Sequence, residues 1–184
     1  MSIKIKLTVE LVPATCFFSN VRSQVSAADW DILRRATYKL ANYICEICGD
    51  TGSNQGFKHS VEAHEIWEYT EGKGKKPNVQ KLTGLIALCP RCHKVKHIGL
   101  ATMRGEDGLC VKHLMKVNQW SKAQAEQHVD AAWDVWDARS EMEWVLDLSW
   151  LDDKGVTYKL PTNAERAVLA RGETVQSDRS VNHQ

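Results

Sequence analysis

Two pairs of cysteines have the spacing most typical of metal ligands in this 184-residue chain. The pairs are Cys45/Cys48 and Cys89/Cys92, with two residues between the thiols of each pair. Four thiolates are the full tetrahedral complement of a closed zinc site. About forty residues separate the pairs, which is longer than in simple zinc ribbons and leaves room for a β-hairpin. The sequence therefore predicts a structural zinc centre built from two Cys-x-x-Cys knuckles.

Three histidines accompany these knuckles: His64 lies between the pairs, and His93 and His97 follow the second pair. On a helix, residues 93 and 97 lie one repeat apart on one face, a familiar metal clamp, while the second cysteine pair occupies a neighbouring face. The alternative is two solvated histidines on a basic helix. Three imidazoles favour zinc, nickel or other transition ions over magnesium. We expect a second divalent ion (Zn, Ni, Mn or Mg) on this set.

The elements that position these residues follow from hydrophobic periodicity and turn signals. Residues 61–69 and 79–88 are predicted to pair as a hairpin around a Gly- and Lys-rich loop at 71–78. Pro90 suits the first turn of a helix over residues 90–98, which is predicted to stop at Gly99.

The flanks show their own signals. Apolar residues alternate with polar ones over 3–11 and 144–150, which predicts two strands that share a sheet, with antiparallel pairing as one arrangement. Ser26 with Asp29, and Ser121 with Gln124, are capping signals at the starts of helices. A shorter helix over 109–117 precedes the second cap, and a short helix is predicted from Thr162 to Gly172. Residues 109–139 resemble a packed helical hairpin more than a helix-turn-helix DNA reader, since the second helix is acidic.

Composition limits the class of protein. A formal charge of +1 excludes a strongly basic nucleic-acid coat protein, and no apolar run approaches the roughly 20 residues of a membrane span. The remaining cysteines, Cys16 and Cys110, are expected to be small buried hydrophobic residues. We expect a reducing, cytoplasmic compartment and no membrane partner. A redox role for the Cys-x-x-Cys pairs is disfavoured, because neither lies in a thioredoxin-like βαβ unit.

Residues 61–66 (Val-Glu-Ala-His-Glu-Ile) and 85–93 (Leu-Ile-Ala-Leu-Cys-Pro-Arg-Cys-His) resemble the HNH (ββα-metal) nucleases, including the zinc-knuckle type common in bacteria and phages. Residues 90–97 are similar to the helix of colicin-type HNH nucleases, in which both histidines bind the metal. The resemblance covers about residues 45 to 99. It implies an α+β fold with a ββα-metal core and a structural zinc knuckle. The expected divisions are an N-terminal strand and helix (1–44), the core (45–100), a helical hairpin and final strand (101–151) and a polar, partly disordered tail (152–184).

The resemblance assigns roles residue by residue. His64 falls on the hairpin metal ligand, and His93 and His97 fall on the helix ligands. Glu65 stands where the family places the histidine base that deprotonates the attacking water, and Gly84 stands near the asparagine that orients that base. Glu65 is thus a candidate base, metal ligand or water-orienting group. His59 is the alternative base, because residues 59 and 65 share a strand face if the strand extends that far.

The expected activity is nicking or cutting of DNA by an HNH-type endonuclease. The alternative is a zinc-stabilised module without turnover that binds DNA or a protein. Trp67 is expected to complete a small core rather than to stack on DNA. The acidic helix over 121–139 is expected to face away from DNA or towards a protein partner. Candidate contacts to the DNA backbone are the cations of the hairpin loop and of the following helix: Lys73, Lys75, Lys76, Arg91, Lys94 and Lys96.

Overall fold

The computed structural model of the protein describes residues 5–16 and 20–162. Within these residues the fold is mixed α+β, with six α-helices and one three-stranded sheet. The strands are β1 (Glu62–Thr70), β2 (Asn78–Leu88) and β3 (Trp144–Asp147). The helices are α1 (Val21–Gln24), α2 (Ala27–Leu40), α3 (Pro90–Lys96), α4 (Ile98–Met103), α5 (Asp107–Asn118) and α6 (Lys122–Ser140).

The predicted hairpin is confirmed. β1 and β2 pair antiparallel from Glu62 opposite Leu88 to Thr70 opposite Val79. The register shifts between Ile66 and Trp67, so one extra residue of β2 lies at a β-bulge. The hairpin leads directly into α3, which begins with Pro90 at its first position, where a missing N–H costs nothing.

The predicted end of α3 at Gly99 is wrong. The helix ends at Lys96, and His97 (φ −104°, ψ 39°) separates it from α4, which contains Gly99. A Cβ atom on Gly99 would lie 3.4 Å from Leu11 and 3.5 Å from Trp133. This glycine therefore permits close packing of α4 instead of terminating a helix.

The predicted N-terminal strand is also wrong over the residues that can be described. Residues 5–13 are irregular and pair with no strand of the described sheet. Their alternation does bury one face, since Leu7 is 0 % and Val9 7 % exposed. Side chains satisfy the backbone instead: Asn118 Oδ1 accepts from Leu7 N–H at 2.9 Å, and His128 Nε2 accepts from Val9 N–H at 3.0 Å. The segment is thereby bound to helices rather than to a sheet.

The second terminal strand, β3, joins the sheet in a different way from that expected. It pairs parallel to β2, with Asn78 opposite Trp144 and Lys81 opposite Asp147. Parallel neighbours need a long crossover, and α3 to α6 supply it. Beyond β3, Tyr158 forms a bridge to Val25. The helix predicted from Thr162 to Gly172 lies, apart from its first residue, outside the described residues.

The capping predictions are confirmed. The Ser26 hydroxyl accepts from the Asp29 N–H at the start of α2, and Ser121 forms a full capping box with Gln124 at the start of α6. α5 and α6 pack as the predicted helical hairpin, joined by a turn with Gln119 in the left-handed region (φ 57°). Among the described helices, none has the length and apolar character that crossing a bilayer requires.

Two apolar clusters form the core of the described residues. The first joins the N-terminal segment, α3 to α6 and the cysteine pairs, with Leu88, Val95, Ile98 and Leu114 fully buried. The second lies between α1, α2, β2 and β3, and Trp67 packs against its edge rather than against the cluster that contains the cysteines. The end of β2 and the start of α3 therefore pack against the first cluster. This packing holds in place the cysteine pair at the start of α3.

Candidate metal centres

The four cysteine thiols converge, as predicted. Their Sγ atoms all lie within 4.8 Å of one another, and the Cys48 and Cys89 sulfurs are 3.5 Å apart. Tetrahedral zinc with Zn–S bonds of about 2.3 Å places its sulfurs about 3.8 Å apart, so the cluster fits a zinc ion. Contacts among the thiols lower the pKa of Cys45 and Cys89 and raise the pKa of Cys48 and Cys92, so all four ionise together only when a cation lies between them. The cluster can hold a structural metal ion such as zinc.

Local backbone geometry forms the first knuckle. Gly49 has a φ of 74°, a left-handed conformation that glycine adopts without steric cost, and its N–H donates to the Cys45 carbonyl. The turn is attached to the end of β2: Glu46 N–H donates to the Ala87 carbonyl at 3.0 Å, and Ala87 N–H donates to the Glu46 carboxylate at 2.7 Å. The two cysteine pairs are thus held together even though 41 residues separate Cys48 from Cys89.

A buried histidine contacts this cluster, and sequence reasoning missed it. His113 of α5 is 8 % exposed, and its Nε2 lies 3.2 Å from Cys92 Sγ. An N–H donated to a thiolate spreads its negative charge and fixes its orientation. The residue lies 21 positions beyond Cys92, on a different helix, so no local spacing marks it.

The three predicted histidines also converge. One ring nitrogen from each of His64, His93 and His97 lies within 4.8 Å of the others, and the Nε2 atoms of His93 and His97 are 3.1 Å apart. The ring centroids are 4.6 to 5.4 Å apart, with the rings nearly perpendicular to one another. Unprotonated ring nitrogens this close repel unless a proton or a cation lies between them. The donor set fits a transition ion.

The acid–base behaviour of the trio agrees with metal binding. Desolvation lowers the pKa of His64 below its ordinary value, and nearby charge on His93 adds to this. Desolvation within the cluster, followed by the charges of His93 and His64, also lowers the pKa of His97. Both effects favour neutral imidazoles at physiological pH, the form that binds a metal.

Glu62 links two of the predicted histidines, and its role was not foreseen. Its carboxylate accepts from His93 Nδ1 at 2.6 Å and contacts His59 Nε2 at 2.9 Å. A proton held on Nδ1 leaves Nε2 of His93 free, pointing at His97. His59, whose side chain is half exposed, lies behind Glu62 rather than in the trio.

Glu10 approaches the trio from the N-terminal segment. Its Oε2 lies 3.4 Å from His64 Nε2, and its other oxygen contacts Lys96 Nζ. Burial alone would raise the pKa of Glu10, but the His64 contact and the Lys96 charge lower it to about 2. The prediction that Lys96 faces DNA is wrong. Its side chain is 6 % exposed and also donates to the Thr8 hydroxyl, so it anchors the N-terminal segment.

The trio faces a cleft of about 830 Å³ between β1, α6 and the N-terminal segment. Glu65, Trp30 and Tyr69 also line this cleft. One Glu65 oxygen accepts from Val21 N–H at 2.7 Å and the other from Trp67 Nε1 at 3.2 Å. Burial raises the pKa of Glu65 to about 7 in spite of these donors. A direct metal contact by Glu65 was one expectation, yet its oxygens are not among the atoms that cluster with the trio.

The other predicted site residues are placed as follows. Gly84 lies opposite Ile66 at the bulge, where an added Cβ would meet only the Ile66 side chain at 3.6 Å. Lys94 is half-buried and pairs with Glu106 at 2.7 Å, whereas Arg91 is exposed. The loop cations Lys73, Lys75 and Lys76 are exposed at the far end of the hairpin. At about 3.3 Å per residue, the end of β1 is already about 20 Å from His64.

Comparisons of the chain with protein-family models, with curated proteins and with solved structures found no match. The function must therefore be argued from the two clusters and their surroundings.

Proposed function

We propose that the protein is an HNH-type, metal-dependent endonuclease that hydrolyses DNA phosphodiester bonds. One observation supports this most: a hairpin histidine, His64, and two helix histidines, His93 and His97, share one point in the order strand, strand, helix. That order is the one that the ββα-metal resemblance implies. The four-cysteine cluster lies at the junction of the same hairpin and helix, where it serves as the scaffold.

Phosphodiester hydrolysis needs a nucleophilic water, neutralisation of the scissile phosphate and help for the leaving oxygen; a divalent ion on three imidazoles would supply the last two. The protein's own task is to hold those imidazoles neutral and aimed. Burial favours the neutral form of His64 and His97, and Glu62 orients His93 by accepting a hydrogen bond from its Nδ1–H. Glu10, fixed by Lys96, contacts His64 and so restrains the ring at the other corner of the trio.

Glu65 is the better candidate for the base. A general base works best when its pKa lies near the working pH, and burial raises the pKa of Glu65 to about 7. It also lines the cleft that the trio faces. His59 is less suited, because its Nε2 is engaged by the carboxylate that orients His93. In this proposal His59 supports Glu62, and Glu65 accepts the proton of the attacking water.

DNA would be held mainly through its phosphates. Arg91 on α3 and the loop lysines of the hairpin are exposed cations. Lys94 contributes less, because its charge is paired with Glu106. The acidic side of α6 would face away from DNA or towards a protein partner. Its acids are exposed: Glu126, Asp130, Asp134 and Asp137.

The test is plasmid nicking by purified protein with magnesium, manganese, nickel or zinc. The expected result is nicking that is lost in both His64→Ala and His97→Ala and reduced at least tenfold in Glu65→Gln. The matched control is His128→Gln, because His128 lines the same cleft, lies outside the trio, and its replacement keeps an acceptor for Val9. Far-UV dichroism checks that each variant is folded.

A second function is favoured by one feature of Glu65, whose two oxygens are both occupied by N–H donors. A site without a working base would be a zinc-stabilised module that binds DNA or a protein. Folded protein with a filled cysteine cluster and no nicking in any of the four metals would establish this alternative and overturn the nuclease.

A further inference from the structure

A second groove, of about 450 Å³, lies between α3 and α5 on a part of the surface that neither metal cluster occupies. Its walls include Phe57, Arg91, Lys94, Leu109, Lys112 and Lys116. Four of the ten residues that line the groove are Lys or Arg and none is acidic, although the chain as a whole carries a formal charge of only +1. Positive charge is therefore concentrated here.

Three of the four cations are available to a ligand. Arg91, Lys112 and Lys116 are exposed, and no carboxylate of the described residues lies within ion-pair distance of them. Lys94 is the exception, because Glu106 neutralises it. The nearby acids, Glu106 and Asp107, lie at the start of α5. At about 1.5 Å per residue, Lys112 and Lys116 are about 7 and 13 Å further along the helix from Asp107.

The groove begins beside the histidine trio, because both use α3. At about 100° per residue, Lys94 is about 100° and Arg91 about 160° around α3 from His93. One side of α3 therefore carries a histidine of the trio, and an adjacent side carries the two cations that line the groove. Lys112 and Lys116 then continue the positive strip along α5, one helical turn apart. That interval is of the order of the spacing between successive phosphates of one strand.

The groove also has an apolar component. Phe57 is 41 % and Leu109 56 % exposed, which gives a surface for the sugar and base edges beside a phosphate. Unpaired cations in a row next to exposed apolar atoms match nucleic acid better than an acidic peptide. A peptide that binds by strand addition would need an open strand edge, whereas the groove is walled by helices and by the loop that carries Phe57.

We propose that this groove binds the DNA backbone that flanks the bond to be cleaved, with Arg91, Lys112 and Lys116 contacting successive phosphates. The inference rests on the proposed function for the identity of the substrate. It adds Lys112 and Lys116, which lie on α5, outside the hairpin and α3. DNA that leaves the histidine trio would cross α3 and follow α5.

The test measures binding rather than cleavage. Zinc-loaded full-length His97→Ala protein is titrated onto a fluorescein-labelled duplex of about 30 base pairs, and anisotropy gives the affinity at several KCl concentrations. In this background, Lys112→Gln with Lys116→Gln should weaken binding at least tenfold at 0.1 M salt. The slope of log affinity against log salt should become shallower by about 1.8, because two phosphate contacts are lost at about 0.9 each.

The control is Lys39→Gln with Lys159→Gln in the same background, which removes two exposed charges elsewhere. It should leave the slope within about 0.4. Duplex binding whose slope is unchanged in the Lys112/Lys116 variant would overturn the groove and leave the nuclease proposal standing. A parent protein that binds no duplex at any salt concentration would overturn both. A single-stranded probe with the same sequence serves as a further arm, and a slope change with that probe alone would assign the groove to an unpaired strand.

Discussion

His93 illustrates how one side chain determines the chemistry of another. An imidazole can present either nitrogen to a metal, and the nitrogen that carries the proton is excluded. Glu62 accepts from Nδ1 at 2.6 Å, so Nε2 is the nitrogen directed at the trio. A carboxylate of this kind fixes the tautomer and orientation of the histidine and makes its free nitrogen a better metal donor.

Replacing Glu62 with Gln should therefore weaken metal binding at the trio by about 10- to 100-fold. The amide cannot provide the negative charge that stabilises the Nδ1 proton. Competition with a chromophoric chelator measures the affinity of the weaker site. The control is Glu68→Gln, an exposed carboxylate on the same strand. Equal affinity in wild type and Glu62→Gln, with the cysteine cluster filled in both, would show that the contact does not position His93.

Glu65 gives a prediction about pH. Its folded-state pKa of about 7 lies above the ordinary 4.5, because burial penalises the charged form. A raised carboxyl pKa stabilises the fold below the unfolded pKa, and that stabilisation is lost as pH rises towards the folded pKa. Relative to Glu65→Gln, which cannot ionise, the unfolding free energy of wild type should fall by about 2 kcal/mol between pH 5.5 and pH 8.

Urea titrations of His97→Ala protein with and without Glu65→Gln, with zinc in the cysteine cluster, measure this difference at the two pH values without a dication beside Glu65. Comparing the variants at the same pH cancels the common pH dependence of the cysteine cluster. A difference that does not change with pH would mean that the donors Val21 and Trp67 keep Glu65 ionised throughout.

At the residue scale, the sequence predicted the members of the two clusters but not the contacts that support them. The cysteine and histidine sets were predictable because knuckle spacing and an i, i+4 pair are local patterns. Glu62, Glu10 and His113 were not, because each acts across 21 or more residues on a different element. Lys96 was misplaced for the same reason: its partners, Thr8 and Glu10, lie more than 80 residues away.

Among the elements, the N-terminal segment shows the limit of hydrophobic alternation. Alternation predicts one buried face, and Leu7 and Val9 are indeed buried. It does not reveal what satisfies the backbone. The hairpin, the capping box and the α5–α6 pair were predicted well. In each, the hydrophobic periodicity and the turn or cap residues indicated the same element. For residues 5–13, the backbone partners are the side chains of Asn118 and His128, which no pattern in the segment itself could indicate.

Asn118 should therefore be a major contributor to stability. Its side chain accepts from the N–H groups of Lys6 and Leu7 and donates to the Leu7 carbonyl, and it is 2 % exposed. Asn118→Ala leaves these buried groups unsatisfied and should cost about 2 to 4 kcal/mol of unfolding free energy. Denaturant unfolding measures the loss, and amide exchange of Leu7 should accelerate.

The control is Lys116→Ala, an exposed residue on the same helix that should change stability by less than about 0.5 kcal/mol. If Asn118→Ala is no worse than this control and Leu7 exchange is unchanged, the segment is held by apolar burial alone.

For the whole molecule, the two metal clusters differ in how deeply they are built into the fold. Cys45, Cys89 and Cys92 belong to the larger apolar cluster, and the thiols join the chain before β1 to the end of β2. The histidine trio instead faces an open cleft. One cluster is therefore part of the core, while the other lies at the edge of an open cleft.

Removing metal should separate these roles. A chelator of moderate strength should strip the histidine trio with little change in far-UV dichroism or thermal midpoint. Losing the zinc from the cysteines should unfold the molecule, because metal binding there is part of the folding free energy.

Cys48→Ser should accordingly lower the thermal midpoint by on the order of 10 °C, and His97→Ala by only a few degrees. Cys110→Ser is the matched control, since Cys110 is a buried thiol outside the cluster. Its midpoint should stay well above that of Cys48→Ser, because it perturbs packing without removing a ligand. Equal midpoints for the two cysteine variants, or unchanged dichroism after all metal is removed, would mean that the apolar clusters hold the fold and that the thiols are not its scaffold.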